Sequence, residues 1–184
     1  MQQIGDKAPR FRVPALIQGA MTYIDSALFQ GRWVALCFPP SLGLIESVFL
    51  DRQSEAFSKA DATLLATIPD TPTLLSSWCS QFGKLRVPLL ADPLGRLRRS
   101  YGMARTSRAA RCQTFLIDPA GLFRFHLVHD LNGRGMAAIL EIVGASQRPD
   151  TRCSVGSRHR SAGLSSQAQT PVLATQPSAH RGDR

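Results

Sequence analysis

The chain has 184 residues, a formal net charge of +9 and 43% hydrophobic residues, which suits one globular domain with a real core. No apolar run approaches the roughly 20 residues that span a bilayer, and the opening MQQIGDKAPRF lacks the basic-then-apolar layout of a secretory leader, so a cytoplasmic protein without a membrane partner is expected. The four cysteines, Cys37, Cys79, Cys112 and Cys153, form no C-x-x-C pair and no metal-ligand spacing, which argues against a disulfide-stapled domain and predicts neither metal nor cofactor.

In chain order, Phe11 and Val13 alternate with Arg10 and Arg12, the period of an exposed edge strand. Residues 21–24 return as a hairpin partner across Gln18 and Gly19, and 26–29 form a short turn or helix. Trp33, Val34, Ala35, Leu36, Cys37 and Phe38 make a near-continuous apolar run, as in a central strand covered on both faces. In that setting Cys37 reads as an inert core thiol. Pro39 and Pro40 end the strand because proline has no N–H for the ladder. A short loop through Ser41 and Gly43 leads to a helix over 46–59, with Val48, Phe49, Ala56 and Phe57 on one face. Such a strand–turn–helix sets backbone N–H groups and the positive dipole end beside the first-turn side chain.

A second buried strand follows at 62–68, then a turn at 69–72 and a helix over 73–82, capped near Thr71 or Thr73. Trp78 and Cys79 read as half-buried packing residues on it. Residues 87–91 form a short strand, and Asp92-Pro93 opens a helix through Tyr101, with Gly102 just past its end. Strands at 112–117 and 122–128 are joined across Asp118-Pro119-Ala120-Gly121, a turn sequence. The last helix is expected over 130–143. His126 and His129 flank the end of a strand with no further ligand in view, and read as surface or turn histidines.

The positive charge is concentrated. Arg96, Arg98, Arg99, Arg105, Arg108 and Arg111 fall in a segment without an acid. After Gln147 come six arginines against two aspartates. Without a nucleic-acid motif, a solvated face plus a basic tail is the simpler reading and nucleic acid is not the expected partner. A basic scaffold that binds an acidic partner through 96–111 is one alternative function. From 148 to 184, Ser, Ala, Gln, Pro and Arg dominate, so a disordered tail is expected after a domain spanning 1–147.

Several of these stretches, taken together, resemble the peroxiredoxin (alkyl hydroperoxide reductase/thiol-specific antioxidant) family. They are IGDKAPRF at the start, FGKLRVPLLADPLGRLRRSYGM, TFLID at 114–118, and DLNGRG before the last helix. The family's Pro-x-x-x-Thr/Ser-x-x-Cys is matched in spacing by Pro40, Leu44 and Ser47. The resemblance runs from about residue 4 to 147. It implies an α/β, thioredoxin-like fold: a central mixed sheet flanked by helices, with an N-terminal β-hairpin.

The resemblance also implies a site, and three of its four positions are substituted. Pro40 is kept, Leu44 stands for the hydroxyl residue that orients peroxide, and Ser47 for the peroxidatic cysteine. The family's arginine lies six residues before the strand-ending aspartate; counting back from Asp118 reaches Cys112, with Arg111 one place earlier. A one-residue shift turns a strand side chain to the other face, so Arg111 is expected to point away. A serine hydroxyl without an adjacent base cannot replace a thiolate. The expectation is a family member impaired in the standard chemistry, with a binding or regulatory role in peroxide handling. The alternative is a thiol-dependent peroxidase using Cys112 or another cysteine, with a thiol reductant such as thioredoxin. Cys153, just past the last helix, matches a candidate resolving position without the family's following Pro and Trp. A homodimer is expected.

Overall fold

A computed structural model describes residues 3–40, 43–103 and 111–148. Seven strands form one sheet: β1 (Arg12–Ile17), β2 (Ala20–Asp25), β3 (Trp33–Phe38), β4 (Ala62–Ile68), β5 (Leu89–Ala91), β6 (Cys112–Ile117) and β7 (Phe123–His129). Their order is β2-β1-β5-β4-β3-β6-β7. β3, β4 and β5 run parallel, linked by α1 (Leu44–Lys59) and α2 (Pro72–Phe82) as crossovers, while β1, β2, β6 and β7 enter as antiparallel neighbours. The remaining helices are α3 (Arg96–Ser100) and α4 (Gly133–Gln147). This is the mixed, helix-flanked sheet of a thioredoxin-like fold, with the β1–β2 hairpin at one edge.

Strand alternation divides the core. Ala35, Cys37, Leu64, Ala66 and Leu116 face the side that packs Leu50 and Phe57 of α1, Leu75 of α2, and Met136, Ile139 and Val143 of α4. Leu36, Phe38, Leu65, Phe115 and Phe123 face the other side, with Leu97 of α3 and Tyr101. That second face is aromatic: the Phe115 ring lies 5.6 Å from Phe38, 5.0 Å from Tyr101 and 5.6 Å from Phe123. Every residue of β3 is buried, as its apolar run requires.

Four of the differences from the sequence expectation have a specific structural reason. β1 is an interior strand, because Ala15 and Leu16 pair with Leu90 and Leu89 of β5; the alternation of Arg10–Val13 covers only the part that runs past β5. α1 begins two residues early because the Glu46 carboxylate accepts from the Gly43 N–H at 3.0 Å. α3 begins late because the buried Asp92 carboxylate accepts from Leu97 N and Arg98 N at 3.1 and 2.9 Å, after Gly95 turns the chain at φ +61°. α4 begins late at the Asn132 cap, whose Oδ1 accepts from Gly135 N at 2.9 Å, and it runs on to Gln147. The expected tail lies outside the described residues from 149 onward.

Candidate functional site

β3 delivers the chain through buried Pro39 and exposed Pro40 to the first turn of α1. Leu44 opens that helix; its side chain lies outside the described set, as do those of Trp78 and Cys79. Ser47 is buried, with 1% exposure. Its Oγ donates to the Gly43 carbonyl at 2.8 Å, beside the helix bond from Ser47 N to the same oxygen at 3.0 Å. The hydroxyl is thus spent inside its own helical turn. Arg111 lies outside this pocket: it is exposed, and its Nε sits 3.0 Å from Asp130 Oδ1. That agrees with the expectation that Arg111 points away.

Cys112 opens β6. In the antiparallel β3–β6 ladder, Cys37 faces Thr114 and Phe38 faces Gln113, so Cys112 is the diagonal neighbour of Cys37 on the same face. Their sulfurs are 3.5 Å apart. In the β6–β7 ladder Cys112 faces His129. Thr114 Oγ1 lies between these groups, 2.9 Å from Cys37 Sγ and 2.8 Å from His129 Nε2. Nδ1 of the same ring is 2.9 Å from the Asp130 carbonyl. A carbonyl only accepts, so Nδ1 carries a hydrogen and Nε2 faces the threonine side. Gly135, at the head of α4, makes room for the ring; a Cβ there would come within 2.8 Å of Nδ1 and 2.5 Å of the Asp130 oxygen.

All members of this cluster are buried, and its electrostatics follow from their closeness. The hydrogen bond with Cys37 lowers the Cys112 thiol to about 6 against the opposing effect of burial, and His129 adds to the lowering. Cys37 is raised, first by its hydrogen bond with Cys112 and then by burial. Burial by itself would lower the His129 imidazole; its bonds with Cys112 and the Asp130 carbonyl outweigh that and leave it raised.

The structure therefore corrects the reading of His129 as a surface or turn histidine, and of the cysteines as a set without ligand grouping. Cys37 and Cys112 are 75 residues apart and no linear spacing relates them. What brings them together is topological: the antiparallel β3–β6 pairing sets Cys37, one residue from the end of β3, beside Cys112 at the start of β6. His126 matches expectation. It is exposed, bonded to Gln113 Oε1 at 2.9 Å and stacked on Phe115 at 4.3 Å. Cys153 lies outside the described residues.

The sheet order and the helix that follows β3 define the class as a thioredoxin-like protein. Residues 4–126 match the AhpC/TSA family. Peroxiredoxin tpx1 of Schizosaccharomyces pombe is 31% identical over 157 residues, covering 79% of this chain and 82% of that protein. Peroxiredoxin TSA1 of Saccharomyces cerevisiae is 27% identical over 165 residues, covering 83% and 84%. Among solved structures, Mycobacterium tuberculosis AhpC superposes with a TM-score of 0.68 at 24% identity, over 84% of this chain and 97% of that one. The chain belongs to the AhpC/TSA family, the peroxiredoxins.

Proposed function

We propose that this is a peroxiredoxin-family protein without the standard peroxidatic step, with a binding or regulatory role in peroxide handling. The observation that carries the reading is position 47, where a buried serine hydroxyl is bonded to its own helix at 2.8 Å. An alkoxide there would need a base to take its proton and would lose that bond. We further infer a cytoplasmic homodimer, in which Ile45 at the exposed head of α1 supplies apolar contact.

A second reading is favoured by one feature, the Cys112 sulfur beside the His129 ring. In that reading the Cys112 thiolate attacks one peroxide oxygen, the O–O bond breaks, and the leaving oxygen takes up a proton, giving a sulfenic acid and an alcohol or water. A thiol reductant such as thioredoxin then returns the sulfenic acid to thiol. With Cys112 at 1% exposure, peroxide reaches it only when the structure around it opens.

Stopped-flow peroxide reduction separates the two, using the wild type, Ser47→Cys and Cys112→Ser. The first reading expects no rapid reduction by the wild type. It expects a slow gain in Ser47→Cys, whose thiol lacks an orienting hydroxyl at 44 and a cation at 112. Rapid reduction by the wild type that disappears in Cys112→Ser replaces the first reading with the second. Light scattering at micromolar concentration tests the dimer, and a monomer mass overturns it.

A further inference from the structure

We propose that Cys37, Cys112 and His129 form a binding site for a soft closed-shell cation, Zn²⁺ or Cu⁺, with two thiolates and one imidazole nitrogen as ligands. The proposal does not depend on whether the protein reduces peroxide. One ligand atom from each of the three residues lies within 4.8 Å of the others, and all three residues are buried. Two thiolates and an imidazole are the donors that soft first-row ions select.

The geometry favours an ion over a disulfide. Two sulfurs on one tetrahedral zinc, each about 2.3 Å from the metal, lie about 3.8 Å apart. The Cys37 and Cys112 sulfurs are already 3.5 Å apart. The two cysteines are diagonal neighbours across an antiparallel ladder. Diagonal Cα atoms are about 7–8 Å apart, beyond the separation of about 7 Å that a disulfide closes without moving backbone. An ion spans what a covalent bond does not.

The outer contacts also suit an ion. A ligating histidine characteristically donates its second ring N–H to a carbonyl or carboxylate, which fixes the tautomer and aims the other nitrogen. His129 Nδ1 is bonded to the Asp130 carbonyl at 2.9 Å, and Nε2 is on the side of Thr114, toward the sulfurs. Gly135 leaves the ring its space. Charge balance completes the argument. Two thiolates neutralise a divalent ion in a site that excludes water, and their protons leave to solvent on binding. Cu⁺ leaves one negative charge but is content with three ligands, whereas zinc calls for a fourth.

The test uses the reduced full-length chain. Titration with Co²⁺, a spectroscopic stand-in for zinc, is expected to saturate at one equivalent with a sulfur-to-metal charge-transfer band. Cys112→Ser and His129→Ala should each weaken binding at least tenfold, while Cys79→Ser/Cys153→Ser should keep the band. Loss of the band only in the Cys79/Cys153 variant overturns the proposal. X-ray absorption on the wild type loaded with Zn²⁺ or with Cu⁺ needs no variant to fold. Two sulfurs and one nitrogen support the site, with an added oxygen for zinc and none for copper distinguishing the ions. A shell of nitrogen and oxygen alone, or failure of both ions to bind, overturns it.

Discussion

The head of α1 and the crossing of β3, β6 and β7 lie at the same end of the sheet, yet their polar groups are satisfied in opposite ways. Ser47 is satisfied by the carbonyl four residues back in its own helix. It needs nothing from the rest of the fold. Cys37, Thr114 and His129 come from three strands, and Thr114 Oγ1 joins them, while the second His129 nitrogen bonds the Asp130 carbonyl. A locally satisfied hydroxyl is compatible with any buried helix start. A group satisfied across strands exists only when the whole sheet is in register, and it costs stability if any partner is lost. Ser47 is a group of the first kind, and the cysteine–threonine–histidine cluster is of the second kind.

The largest expected effect comes from placing a cation at the start of β6. Cys112→Arg drives a guanidinium into a space bounded by Cys37 and His129, and should cost about 3–5 kcal/mol as an uncompensated buried charge. Urea denaturation followed by circular dichroism measures it. A loss near 0.5 kcal/mol, typical of a surface change, would mean that the crossing is not closed in solution. Thr114→Val keeps the shape and removes the shared hydroxyl. It should cost about 2 kcal/mol, because Cys37 and His129 both lose a buried partner. An unchanged urea midpoint would remove Thr114 from the centre of the cluster.

Two glycines of α4 sharpen the comparison further. Gly135→Ala pushes a methyl group against the His129 ring and the Asp130 carbonyl and should cost about 1–2 kcal/mol. Gly144 has nothing within 4 Å of where its Cβ would be. Gly144→Ala should therefore stabilise the chain by about 0.5–1 kcal/mol. Thermal melts that move in the same direction for both would contradict the tight packing of the ring. The smallest effect is expected at the head of α1. Ser47→Ala loses one bond to a carbonyl that keeps its backbone partner, and gains helix propensity, so the change should stay below about 1 kcal/mol. A loss larger than that of Thr114→Val would reverse the contrast between the two regions.

What was legible in the sequence follows the same division. The run Trp33–Phe38, the Asp118–Gly121 turn and the helix after Pro40 are local patterns, and each formed where the pattern lies. Positions 44, 47 and 112 were singled out by the spacing of the family motif alone. Placement of β1 inside the sheet was not legible, because the strand that covers it, β5, is three residues long and distant in sequence. His129 was misread for a related reason. At the end of β7 its exposure is decided by Cys112 opposite and by the head of α4 above, neither of which is a neighbour in the chain.

The ion pair between Arg111 and Asp130 has a mechanical side. Arg111 is joined by one peptide bond to Cys112, and Asp130 by one to His129. The pair is exposed, so it is a weak clasp that salt loosens. It nevertheless fastens the outer ends of β6 and β7 just beyond the buried Cys112 sulfur and the His129 ring. An anion that competes for that guanidinium would be tugging at two strand ends at once, and the pull would arrive one residue away from the buried thiol.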